Sequence, residues 1–345
     1  NGYHFQNTRS FLFPFITFKN YFRSKGIEIS FSTRPIKPKR KVYLFIESNF
    51  FGKQFTTKPH EIFELLANIR SSVYKIIYFD LSDSSSILHP DVINYVDLYC
   101  KGQMLKDKNL YKREFYGNRI FSDFIFKKFN VQDKNVSFSK SLKQSEINKL
   151  KVHWNSGVGN YTLTGRIMDK LYELYPMRNF LFYPKYKYIN FKDKKNDLFY
   201  NMNLYYSRNS ISWYRKHALI NLEIEEPNRI HILKYFKKLK NSRVSISPFG
   251  WGEINYRDYE SLIYGSLLLK PNMSHIDTWP NLYRSDLFTS YHWDCSDLKV
   301  KLEELLRNYS KYQIIAKRAN KFYLDFLEPS LLRKSIFKRL KGLLP

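Results

Sequence analysis

Residues 41–83 read KVYLFIESNFFGKQFTTKPHEIFELLANIRSSVYKIIYFDLSD, and three pieces of that stretch decide the fold. The first, 41–46 (KVYLFI), is a short apolar run after the basic, proline-broken segment 34–40, as a buried strand requires. The second, 60–70 (HEIFELLANIR), places Ile62, Phe63, Leu65, Leu66 and Ile69 on a helical stripe. The third, 73–79 (VYKIIYF), is again a strand, and it runs into Asp80-Leu-Ser-Asp83. Strand, helix, strand at this spacing predicts parallel βαβ units with helices on both faces of the sheet. In such sheets the loops beyond the carboxyl ends of the strands face the ligand crevice, so 80–86 is a candidate for chemistry.

Outward from there the alternation continues. A Lys- and Tyr-rich break over 180–196, with Pro184, predicts the approach to an inter-domain linker. Beyond it the pattern predicts strands at 197–206, 243–247 and 266–270, and helices at 212–222 and 258–264, with Gly265 as a helix stop. A helix over 297–307 has Asp297 as its expected N-cap, and 330–344 forms a basic amphipathic helix. No repeat of solenoid period is present. The expected architecture is α/β: two Rossmann-like domains, 1–190 and 191–328, facing a central cleft, with 329–345 as a C-terminal basic helix packing back on the first.

Composition sets limits on function. In 345 residues the hydrophobic fraction is 43% and the aromatic fraction 18%, which excludes a disordered chain. The longest apolar runs, 11–18 and 267–269, fall far below the roughly 20 residues of a spanning helix. Charge is the outlier, 58 Lys+Arg against 31 Asp+Glu, or +27. That field attracts phosphate-bearing partners, although abundant Lys, Asn, Ile, Tyr and Phe also fit AT-biased coding. Cys100 and Cys295 lie too far apart in sequence for a disulfide framework or cysteine-based zinc site, and a cytoplasmic location is the simpler expectation. No two of the eight histidines show zinc-site spacing with an acid. The chain opens at Asn1 with no signal-like segment, which leaves room for a natural start upstream.

The most informative stretch is 247–260, SPFGWGEINYRDYE. A strand ends at Ser247, Gly250 and Gly252 bracket Trp251, and a helix follows. Glycines there let backbone approach a ligand and bare its amide hydrogens. With the positive end of the helix dipole they make a candidate diphosphate site, whose plain alternative is an ordinary strand-to-helix turn. A Glu on that helix can accept two hydrogen bonds from a ribose diol; Glu260 is placed for it, with Glu253 at the loop edge.

Residues 247–283 (SPFGWGEINYRDYESLIYGSLLLKPNMSHIDTWPNLY) strongly resemble the C-terminal half of GT-B glycosyltransferases, in particular a bacterial group with a "glycosyl transferases group 1"-type donor domain. That group shows SPFG-GE, a YRD-E helix, a GxLLIKP strand and an MSHLETWPD-Y loop. Matches continue through 291–298 (YHWDCSDL), and 95–119 (YVDLYCKGQMLKDKNLYKREFYGNR) and 151–161 (KVHWNSGVGNY) also resemble it. The resemblance implies hexosyl transfer from a nucleotide-sugar to a saccharide or lipid-linked saccharide acceptor, in surface polysaccharide synthesis, without a catalytic metal or further cofactor. Glu260 matches the second acid of the E-x7-E motif of related retaining enzymes. The eighth position upstream is Gly252, and Glu253 lies seven upstream, so the stereochemical outcome stays open.

Charge developing on a departing nucleoside diphosphate calls for preorganised donors and a cation. Arg208, Arg215 and Arg257 are the candidates for the cation. Gly157 and Gly159, in WNSGVGNY, could bring backbone to the donor from across the cleft, or make a plain turn. Asp83 or Asp80 could act as the base on the acceptor hydroxyl, or cap a turn. His275 and Asp277 are expected to line the donor pocket. Two further readings stand beside this one: a basic nucleic-acid-binding protein without catalytic activity, and peripheral contact with anionic membrane through the C-terminal helix. Against the first, basic residues are spread along the chain and no RRM, KH or zinc-finger pattern occurs, so no nucleic acid partner is expected.

Overall fold

The computed structural model describes residues 6–34, 41–52, 54–174, 183, 189, 191 and 194–344. Most of the expected linker, and most of the basic segment before the first strand, lie outside those residues. The first half begins with α1 (Gln6–Thr17) and α2 (Lys19–Ser24), then β1 (Val42–Glu47), α3 (Gln54–Thr57), α4 (Pro59–Arg70) and β2 (Val73–Asp80). It continues through α5 (Pro90–Ile93), β3 (Leu98–Lys101), β4 (Gln103–Leu105), α6 (Ile120–Phe129), α7 (Gln144–Ile147), β5 (Leu150–Val152) and α8 (Leu163–Leu174).

The second half runs β6 (Asn196–Phe199), α9 (Asn209–Asn221), α10 (Ile232–Lys240), β7 (Ser242–Ile246), α11 (Tyr256–Ile263), β8 (Leu267–Pro271), β9 (Ile276–Thr278) and β10 (Thr289–Tyr291). Three helices follow: α12 (Leu298–Arg307), α13 (Tyr309–Phe326) and α14 (Pro329–Lys341).

The fold is mixed α/β with two four-stranded sheets, ordered β1-β2-β3-β5 and β10-β8-β7-β6, every neighbouring pair parallel. Buried strands carry the runs such sheets need: Ile76 to Phe79 in β2 and all of β8 are buried. Strand order is monotonic in both sheets among the described residues. The reversal that marks a doubly wound sheet is therefore not present in either.

Two elements tie the halves together. β4 pairs antiparallel with β9, Met104 opposite Asp277. The Phe-rich run 11–18, too short to span a bilayer, is most of α1, which buries Phe11, Phe13 and Phe15. Phe11 stacks on Trp154 (5.5 Å) and meets Phe79 (4.8 Å), so one apolar cluster continues from the first sheet into the second.

Two local expectations are corrected. The strand expected over 197–206 stops at Phe199; beyond it the Asn201 and Asn203 carbonyls accept from Arg257 and Arg215 rather than from a neighbouring strand. Asp297 sits at the head of α12, but its carboxylate accepts from His292 N (2.7 Å) rather than from the helix's amides.

Candidate functional site

The carboxyl ends of the two parallel sheets converge on one cavity of about 410 Å³. The loop after β2 contributes Asp80, Ser82 and Asp83, β4 contributes Gln103, and the turn after β5 contributes Trp154 and Asn155. The second half contributes Tyr206, Arg215, Trp251, Gly252, Asn255 and Tyr256. α1 reaches in with Gln6, Asn7 and Phe11. The volume falls in the range of small-molecule sites.

Asp80 and Asp83 both line this space, but the protein treats them differently. Asp80 is fully buried, 3.1 Å from the Lys101 ammonium, and accepts from Tyr99 OH (2.7 Å) and Ser82 N (2.8 Å). Burial alone would raise its pKa; Lys101, His89 and Ser82 outweigh that and hold it at about 2. A carboxylate so pinned makes a poor base. Asp83 lies open to the cavity yet is ringed by protein at longer range, and that desolvation raises its pKa, opposed by Asn7, Lys101 and Arg119. Asn7 Nδ2 donates to Asp83 (2.7 Å), and Asn7 Oδ1 accepts from Tyr256 OH (2.6 Å). Two distant segments, α1 and α11, thus orient one carboxylate.

The glycine loop corrects the sequence expectation. A methyl on Gly252 would sit 1.7 Å from the Asp83 carbonyl oxygen, and one on Gly250 would meet the Arg215 guanidinium at 2.6 Å. Both glycines admit protein neighbours rather than a diphosphate. Glu253 is buried and accepts from Ser85 Oγ (2.6 Å), Ser85 N (3.0 Å) and Ser84 Oγ (3.1 Å), fastening this loop to the one after β2. Burial would raise its pKa, but the nearby His275 ring and Ser85 bring it to about 2. At the head of α11, Asp258 and Asn255 form a capping box, with Asn255 N donating to the Asp258 carboxylate at 3.0 Å.

Other expected residues are also placed elsewhere. Glu260 points to α10, where its carboxylate accepts from Tyr235 OH (2.6 Å); burial raises its pKa, and it does not line the cavity. The Glu260–ribose role is not supported by this geometry. Arg208 donates to Gly117 O (3.1 Å) near Asp133, and Arg257 lies over the Phe199 ring and donates to Asn201 O and Ile246 O (3.4 Å). A methyl on Gly157 would meet the Tyr259 ring at 2.6 Å and one on Gly159 the Ser10 hydroxyl at 3.1 Å, so both glycines face protein neighbours. His275 stacks edge-on against Trp293, 3.8 Å from Glu253, and Asp277 is exposed on β9; neither lines the cavity.

Arg215 and Trp251 remain at the cavity. Arg215 is 6% exposed, and its guanidinium donates to Phe249 O (2.9 Å), Asn203 O (3.0 Å) and Asn255 Oδ1 (3.4 Å), all neutral acceptors. Among the described residues no carboxylate lies within ion-pair distance of it. Burial lowers its pKa to about 10. Its plane lies over Tyr206 (5.0 Å), whose ring meets Trp251 edge-on (5.9 Å). Buried charges are normally compensated; here the uncompensated cation borders a cavity.

Compared with protein-family models and with curated proteins, the chain matches none.

Sequence reading missed Asn7, Gln103, Asn155, Tyr256 and Arg119. Arg119 crosses from the first half to donate to Trp251 O (2.7 Å) and lies over the indole (5.4 Å). Only the resemblance block ending at Arg119 pointed near that residue.

Proposed function

We propose that this chain is a glycosyltransferase of GT-B architecture, taking a sugar from a nucleotide-sugar held in the cavity to a saccharide or lipid-linked saccharide acceptor. The observation that carries the reading is Arg215: a buried guanidinium with no carboxylate partner among the described residues, on the wall of a cavity at the carboxyl ends of two parallel sheets. A diphosphate supplies the missing anion, and the cation stabilises charge growing on the leaving phosphate. The Tyr206 and Trp251 rings give the nucleotide or sugar an apolar flank.

From the loop after β2, Asp83 is the proposed base. An acceptor hydroxyl donates its proton to the Asp83 carboxylate as its oxygen attacks the anomeric carbon. The bond to the diphosphate breaks, and the electron pair leaves with the phosphate that Arg215 faces. Asp83's raised pKa favours proton uptake, and Asn7 keeps its oxygen aimed. Asp80 serves as a fixed structural anion, not as a base. The resemblance of 247–283 supports the same reading independently of the cavity.

The test is a thermal-shift screen with UDP-, GDP-, ADP- and dTDP-sugars. One should raise the melting temperature in a concentration-dependent way. Binding to nucleic acid with no shift from any nucleotide-sugar would contradict the proposal.

A further inference from the structure

We propose that the face formed by α2 and α14 is a docking surface for an anionic lipid bilayer. The two helices are separated by most of the chain, yet Tyr21 of α2 meets Phe337 of α14 (5.9 Å) and lies under the Arg333 guanidinium (4.9 Å). α14 is anchored from beneath: Leu332, Ile336 and Leu340 are buried, and Arg339 lies over Trp279 at 4.3 Å. Its apolar stripe is therefore spent on the fold, and α14 does not insert into lipid as a free amphipathic helix would. What remains outside is charge, with Leu331 as the one exposed leucine among the described residues of α14.

Lys19, Arg23 and Lys25 are exposed on and after α2, and Lys334, Lys338 and Lys341 are exposed along α14 at helical spacing. No Asp or Glu occurs in residues 1–27 or 329–345. None of these six cations is ion-paired among the described residues. Folding has brought two acid-free basic segments into one face, which concentrates positive potential beyond what the chain-wide excess gives.

A cationic face complements an anionic leaflet, where each Lys or Arg near the surface strengthens binding about fivefold. Leu331, 51% exposed beside Lys334, adds an apolar contact at headgroup depth. A single-stranded nucleic acid would want open aromatic platforms; Tyr21 and Phe337 are instead taken up with each other and with Arg333. The surface does not depend on the glycosyltransferase reading.

The test uses the full chain with phosphatidylcholine vesicles, with and without phosphatidylglycerol. Lys19→Glu/Arg23→Glu/Lys334→Glu/Lys338→Glu is compared with Lys106→Glu/Lys134→Glu/Lys234→Glu/Lys237→Glu, four exposed lysines elsewhere that carry the same change in net charge. Wild type should bind only the anionic vesicles, and less so as salt rises. The first variant should bind about 100-fold more weakly or worse, and the control should lose far less, both keeping the wild-type circular dichroism and melting temperature. In Leu331→Trp, indole fluorescence should shift to the blue on anionic vesicles. Equal losses in the two quadruple variants would show that overall charge alone binds lipid and would overturn the surface. So would undiminished binding by the first, or preference for single-stranded DNA over vesicles.

Discussion

The carboxyl ends of the two sheets solve the same packing problem and then diverge. Each buries a lysine from a strand against an aspartate: Lys101 on Asp80 in the first half, Lys270 on Asp258 in the second, both at 3.1 Å with no side-chain exposure. Asp258 also accepts from Ser247 Oγ (2.6 Å) and Tyr283 OH (2.8 Å), as Asp80 does from Tyr99. Beyond these pairs the first half leaves one carboxylate, Asp83, facing the cavity. The second half ties up Glu253, Asp258 and Glu260 and leaves a cation, Arg215. One wall can accept a proton and the other can hold a phosphate. The difference, not the shared pair, is what suggests group transfer.

The largest expected effect comes from neutralising the first wall. Asp83→Asn should lower turnover by about 10²–10⁴-fold while leaving the affinity for a nucleotide-sugar near wild type. Parallel losses of turnover and binding would make Asp83 a binding group and erase the division of labour. Next comes the shared pair. Lys101→Met strands the buried Asp80 charge and should cost about 3–5 kcal/mol, read as a lower denaturant midpoint. A change within 0.5 kcal/mol, about that of an ordinary surface substitution, would show that the pair is not the structural anchor described here.

A third prediction uses pH. Burial raises the Glu47 carboxyl, at the end of β1, to about 7. Between the ordinary glutamate value, about 4.5, and 7 the folded chain keeps a proton that the unfolded chain has released, so stability falls as pH rises through that window. Asp80 and Glu253, both held at about 2, act with the opposite sign: their contribution is present above about 4 and is lost as pH falls toward 2. Glu47→Gln should remove the loss between pH 4.5 and 7, about 1–3 kcal/mol, and leave the acid limb unchanged. A pH profile identical to wild type would place the Glu47 carboxyl in the ordinary range. The smallest expected effect is away from the cavity: Glu260→Ala should leave any nucleotide-sugar thermal shift intact, because its side chain faces Tyr235. A lost shift in a folded variant would return Glu260 to the site.

What could be read from the sequence was local. The apolar run at 41–46, the stripe at 62–69 and the run at 73–79 became β1, α4 and β2, and the segment after Ser247 became α11 and β8, because period and run length are properties of neighbouring residues. The site was legible only as neighbourhoods. Nothing near Asp80 or Asp83 says which one a lysine on the neighbouring strand will pin, since Lys101 of β3 reaches Asp80 of β2 only through sheet pairing. Gly250 and Gly252 do mark close approaches, but the approaching groups, Arg215 and the Asp83 carbonyl, come from other segments. Glu260 sits one helical turn from Tyr256, and the same helix presents Tyr256 to the cavity and Glu260 to α10. Asn7 entered the cavity because a Phe-rich run chose the gap between the sheets, a long-range packing outcome with no local signature.

The central claim is that Arg215 awaits an anionic ligand across from Asp83. It is tested most directly by titration calorimetry of wild type and Arg215→Met with the nucleotide-sugar giving the largest thermal shift. The account expects binding to wild type, about 10–100-fold weaker binding to Arg215→Met because a charge-assisted contact is lost, and no binding of the corresponding nucleoside. Equal affinity of wild type and a folded Arg215→Met variant would contradict it.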